Sequence, residues 1–156
     1  MPLGDAPDFG SLTLDPKWTI AIVRSEWHPK LTTAVSENAA TELARLGIPS
    51  DNIGLFTIPG SFELPLACQK ALERFDAVIA FGIIVEGQTH HARLIADQAA
   101  AGCMQVQLLT GKPVTFEVLY VRNIADAETR VHGVMNTGVI AARTVLSSLA
   151  RLKEIQ

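Results

Sequence analysis

The chain has no apolar run of membrane length. Its longest, Ala77–Val85, carries a glycine and stops at Glu86, well short of the roughly 20 apolar residues a spanning helix needs. It has no block of like charge either. Lys and Arg number 13 against 16 Asp and Glu, for a formal net charge of -3, so neither a nucleic-acid surface nor a membrane surface is expected. Cysteine is scarce: Cys68 and Cys103 both fall inside helical patterns and read as small buried thiols of a reducing compartment, not as a disulfide framework. The glycine-rich nucleotide fingerprint, the P-loop and the G-x-S-x-G elbow are all missing. The N-terminus is acidic and lacks a basic-then-apolar segment, so no signal peptide is expected and the cytoplasm is the expected location.

What is present suits one domain with a sizeable core: 156 residues, 48% of them hydrophobic. Residues 1–16, with three prolines and two glycines, read as a weakly structured arm, in which residues 11–14 alternate and could add an edge strand to this sheet or a neighbour's. Residues 17–156 read as the single domain. Four β-runs stand out, at residues 18–24, Ile53–Ile58, 76–84 and Val114–Val121. Helical patterns separate them. The first opens at Pro29 and stops at Gly47; the second runs to about Arg74; the third, from near Thr89, carries a stripe of Ile95, Ala99, Gly102, Val106 and Leu109. Asn123 can cap a short helix through Thr129, and a last helix runs from Gly138 to about Lys153. This alternation predicts right-handed βαβ units, hence an α/β fold: a three-layer α/β/α sandwich around a four-stranded parallel sheet.

Ligands of such folds bind beyond the carboxyl ends of the strands. Three loops leave those ends with unusual residues: SEWHP, PGSFELP and VEGQTHH, and a fourth segment, after Val121, carries Arg130. Each side chain there has a plain reading and a functional one. Trp27 can stack on a planar ligand or simply pack. Glu63 can accept from ligand hydroxyls or favour a helix N-terminus. Arg130 can pair with a phosphate or be solvated. Phe116 is core by default. His91 stands four residues before Ile95, in register with the stripe, whereas His90 points about a hundred degrees away. At a helix start the partial positive charge disfavours imidazolium, so His91 can serve as a proton-transfer base, or it can merely begin the helix. Adjacent histidines cannot readily face one metal, and no carboxylate or cysteine stands at ligand spacing, so no metal is expected.

Three segments together, PGSFELP at residues 59–65, GIIVEGQTHH at 82–91 and PVTFEVL at 113–119, in this order and spacing, resemble the 6,7-dimethyl-8-ribityllumazine synthase family. The resemblance implies a flavodoxin-like fold assembled as pentamers or larger shells of pentamers, with no cofactor. It implies that 5-amino-6-(D-ribitylamino)uracil condenses with 3,4-dihydroxy-2-butanone 4-phosphate, one step before riboflavin. By the same resemblance Trp27 stacks on the pyrimidine, and Ser61, Phe62 and Glu63 hold it. Ile83, Ile84 and Val85 give backbone contacts. Gln88, Thr89 and Arg130 bind phosphate, Phe116 lines the pocket of a neighbouring subunit, and His91 transfers protons. Four positions depart from the family's usual residues: Glu86 for arginine or lysine, His90 for proline or threonine, Ala92 for an aromatic, and Thr137 for lysine. Two other classes share the architecture: a riboflavin-synthase-like or lumazine- or flavin-binding protein, and a structural shell former.

Overall fold

The computed structural model describes residues 12–133 and 136–155. Four strands, β1 (Ile20–Ser25), β2 (Ile53–Ile58), β3 (Ala77–Val85) and β4 (Val114–Val121), form one parallel sheet in the order β2-β1-β3-β4. Five α-helices accompany them: α1 (Pro29–Arg45), α2 (Leu64–Ala71), α3 (His91–Thr110), α4 (Ile124–His132) and α5 (Thr137–Ile155). The pleat sends alternate side chains to opposite faces. Ile20 and Ile22 of β1 join Ile79, Phe81 and Ile83 of β3 against α1, α4 and α5, while Ala21, Val23, Val78 and Ala80 pack against α2 and α3. The architecture is thus the three-layer α/β sandwich anticipated from the alternation of strands and helices.

The local chemistry explains both the agreements and the shifts. α1 opens at Pro29, where the missing N–H costs nothing, and stops before Gly47, whose φ of 103° few other residues adopt. Asn123 caps α4 by accepting from the Asp126 N–H at 3.0 Å, and that helix continues past Thr129 to His132. β1 starts later than expected because Thr19 is tied to Asp76: the carboxylate accepts from the Thr19 N–H at 2.8 Å and from its hydroxyl at 3.0 Å. α2 stops at Ala71, and turns carry the chain to Arg74. There Lys112 Nζ donates to the Leu72 and Phe75 carbonyls at 2.7 and 3.0 Å.

One expectation needs correction. The buried line of α3 runs through Ala99, Cys103 and Val106, which leaves Leu109 rotated off it and 71% exposed. Residues 12–14 add no strand to this chain's own sheet, and Leu12 and Leu14 pack against the core on the α1 and α5 side. Residues 1–11 of the expected arm lie outside the described residues.

Charge inside the fold is sparse, and two carboxyls behave oppositely. Glu42 of α1 is buried but accepts from Arg45 Nε and Nη2 at 2.7 and 2.8 Å and from Arg143 Nε of α5 at 2.7 Å. The Arg45 hydrogen bonds lead in holding its pKa down at about 2 from an ordinary 4.5, and Arg143 adds to them against the cost of burial. Glu117 of β4 is half-buried, and burial lifts its carboxyl to about 7.

The signs then differ. Glu42 stabilises the fold above pH 4.5, and that contribution fades as pH falls from 4.5 toward about 2. Glu117 stays protonated in the fold where the unfolded chain ionises, so a penalty grows as pH rises from 4.5 to about 7. Denaturant melts should therefore show Glu42→Gln less stable than wild type at pH 7 by roughly 1–3 kcal/mol. Glu117→Gln should match wild type near pH 4 and exceed it by about 1–3 kcal/mol at pH 8. Equal stability of Glu117→Gln and wild type at both pH values would contradict the burial of that carboxyl.

Candidate active site

A cavity of about 670 Å³ opens at the carboxyl ends of the strands. Three of the anticipated loops build it. After β1 come Trp27 and His28; after β2 come Gly60, Ser61, Phe62 and Glu63; the end of β3 and its loop give Ile83, Ile84, Val85, Gly87 and Thr89. The first turns of α3 close it with His91, Ala92, Leu94, Ile95 and Gln98.

Each wall has a local cause. Ser61–Glu63 is one turn of 3-10 helix that turns the chain from β2 into α2; Ser61 is buried, while Phe62 and Glu63 are exposed. Gly60 leaves room for the neighbours it separates: a Cβ there would stand 3.0 Å from Glu63 Oε2 and 3.7 Å from Trp27 Cδ1. The Glu63 carboxylate and the Trp27 indole therefore lie close together on one side of the cavity. Trp27 is 68% exposed, with its ring free for a planar partner. At α3, His90 is the N-cap residue and no side chain caps the helix; the His91 N–H makes one long bond, 3.4 Å, to Thr89 Oγ1. A helix start of this kind presents N–H groups and partial positive charge to an anion. Among the lining residues Glu63 is the one carboxylate, and none is Lys or Arg.

Of the residues singled out from sequence, the cavity gathers Trp27, Ser61, Phe62, Glu63, Ile83, Ile84, Val85, Thr89 and His91. It does not gather Gln88, Phe116 or Arg130. Gln88 is exposed in the loop beside Thr89. Phe116 sits half-buried on β4 against the α2 and α3 side of the core. Arg130 is exposed in the last turn of α4, not in a strand-end loop. Of the four departures, Ala92 lines the cavity, while Glu86 is exposed between the lining residues Val85 and Gly87. Thr137 is buried as the first residue of α5, beside an Asn136 side chain that accepts from the Gly138 and Val139 N–H groups at 3.0 and 3.3 Å.

Leu94 and Gln98 of α3 also line the cavity and were not singled out from sequence. His28, in the SEWHP loop, has φ 57° and ψ 58°, the one left-handed non-glycine backbone among the described residues. Such a conformation costs roughly 1–2 kcal/mol. Its carbonyl accepts from the Leu31 and Thr32 N–H groups at 3.0 and 3.1 Å and from Thr32 Oγ1 at 3.3 Å, opening α1.

A family model described as 6,7-dimethyl-8-ribityllumazine synthase matches residues 17–153. Among curated proteins, the chain is similar to the 6,7-dimethyl-8-ribityllumazine synthase of Tropheryma whipplei (strain Twist), 37% identical over 81% of this chain and 80% of that one. It is similar to proteins of the same name from Xanthomonas oryzae pv. oryzae (strain PXO99A), 38% identical over 76% of this chain and 78% of that one, and from Xanthomonas campestris pv. campestris (strain B100), 39% identical over 72% and 74%.

The geometry makes Trp27 a reporter. In a Trp18→Phe variant, which removes the buried indole, titration with riboflavin as a planar ring should quench the remaining tryptophan fluorescence through stacking. Unchanged emission at saturating ligand would take Trp27 out of the site.

Proposed function

The chain belongs to the 6,7-dimethyl-8-ribityllumazine synthase family, and from that premise we propose how its cavity works as the enzyme's active site. The reaction is the transferase step of riboflavin biosynthesis that joins 5-amino-6-(D-ribitylamino)uracil to 3,4-dihydroxy-2-butanone 4-phosphate. The observation that carries the residue assignment is the meeting, in one strand-end cavity, of an exposed indole, a carboxylate, a buried serine, backbone groups and a histidine at a helix start. Neither a storage role nor a shell-forming role gains support from the relatives, which carry the synthase name.

The pyrimidine stacks on Trp27. Ser61, Phe62 and the backbone of Ile83–Val85 hold its ring, and Glu63 accepts from the ribityl hydroxyls. The phosphate end of the second substrate lies at the start of α3, on Thr89 and the first-turn N–H groups, with Gln88 beside it. The amine adds to the ketone, and water leaves to give an imine. Phosphate then departs, and the second nitrogen closes the ring with loss of a second water. Every stage moves protons, and none needs a strong nucleophile, so His91 serves as the shuttle. Holding two substrates in one cavity supplies much of the rate.

We place Arg130 and Phe116 at the cavity of a neighbouring chain, since neither lines its own. The described surface leaves Leu55, Phe56, Leu66, Leu94, Met104, Leu108 and Leu109 exposed, apolar side chains that a neighbouring chain can cover. A closed ring, most simply of five chains, buries such surface and forms one composite site per contact. The cytoplasm is the compartment that suits the two buried free thiols.

His91→Ala should lower turnover about a hundred- to ten-thousandfold while the assembly persists, and His90→Ala should stay near wild type. The reverse ranking would mean that the wrong histidine has been assigned. In sedimentation velocity at micromolar concentration the active species should run near five chain masses. A fully active species at one chain mass, 16.8 kDa, would end the shared-site assignment.

A further inference from the structure

We propose that Gly82 is a positioning residue for the pyrimidine: its lack of a side chain is what lets the Ser61 hydroxyl lie against β3 at the floor of the cavity. Glycine inside a strand is costly, because it loses more backbone freedom on folding and packs nothing. Gly82 sits in the interior of β3, paired with Val118 of β4. Its backbone does not lie in the left-handed region, where Gly47 and Gly111 do, so conformation does not demand a glycine there. Space does. A Cβ at this position would collide with Ser61 Oγ, yet would stand an ordinary 3.4 Å from both Ser61 Cβ and Val118 Cγ2. The obstacle is therefore the hydroxyl alone.

The hydroxyl cannot yield without leaving its place. Ser61 is 6% exposed and begins the single 3-10 turn that also carries Phe62 and Glu63 to the cavity. Rotation about its Cβ would aim the oxygen elsewhere, and lifting the turn would move its two neighbours as well. In either case the hydroxyl leaves the place beside β3 from which, on this proposal, it serves the pyrimidine. Gly82 touches no substrate and acts through Ser61.

The inference rests on the cavity being the ribitylaminouracil site, and a double-mutant cycle tests it. Gly82→Ala should raise KM for the pyrimidine roughly tenfold or more, with kcat and KM for the butanone phosphate changed far less. Ser61→Ala should raise the pyrimidine KM comparably, and the double variant should be no worse than Ser61→Ala, since the added methyl then meets no hydroxyl. An unchanged KM for Gly82→Ala, or effects that multiply in the double variant, would overturn the proposal. Should Gly82→Ala fail to fold, the double variant decides: it must fold and match Ser61→Ala, and its failure to fold is also an overturning result. The functional reading fails separately, in a wild-type chain that does not turn over. The melting temperature then still tests the steric claim, because Gly82→Ala must cost stability in the Ser61 chain and not in the Ser61→Ala background.

Discussion

Strand β3 is buried on both faces, and the rest of the structure depends on where it ends. It pairs with β1 on one side and β4 on the other, and eight of its nine residues are buried. A one-residue slip would exchange the larger Ile79, Phe81 and Ile83 of one layer for the smaller Val78 and Ala80 of the other. Its carboxyl end is therefore a fixed point in the sheet, against which the loops after β1 and β2 are set. Ser61 meets β3 at Gly82, and the start of α3 follows within a few residues of Val85. A cavity assembled in this way takes its frame from a packed strand, which suits a reaction that owes much to orientation.

Charge is distributed to match. Cations that are paired inside this chain serve structure: Arg45 and Arg143 hold Glu42 between α1 and α5, Arg93 lies 3.7 Å from Asp97 along α3, and Lys112 ties the end of α2. The cavity itself is lined by no Lys or Arg. Within the chain, the start of α3 offers an anion only N–H groups and a threonine hydroxyl. Glu86, exposed at the same rim, would oppose such an anion, and Thr137 is buried at the start of α5.

The parts legible in the sequence were those governed by local chemistry. β2 and β4 ended where their β-rich runs ended, α1 began at its proline, and Asn123 capped its helix. The strand-end loops declared themselves through residues that a plain turn would not carry, so most of the candidate site could be read directly. What escaped depended on tertiary packing. Leu109 fits a helical stripe, but the buried line of α3 is set by α2 and β4 and passes one step away. His28 precedes a proline, a setting that favours extended backbone, yet it is left-handed in the fold. Arg130 lies close in sequence to a strand end, yet α4 carries it away from the cavity. Gly82 was visible as a letter, but its purpose became visible only with Ser61 lying over it.

The claim at the centre of this account is that one strand-end cavity unites two substrates. The most direct measurement is a turnover assay of the purified chain with 5-amino-6-(D-ribitylamino)uracil and 3,4-dihydroxy-2-butanone 4-phosphate together, following lumazine absorbance and free phosphate in parallel. The account predicts that both signals rise at one rate, one phosphate per lumazine, and that neither rises when the pyrimidine is left out. Phosphate release without lumazine, or no product from the purified protein at saturating levels of both substrates, would contradict it.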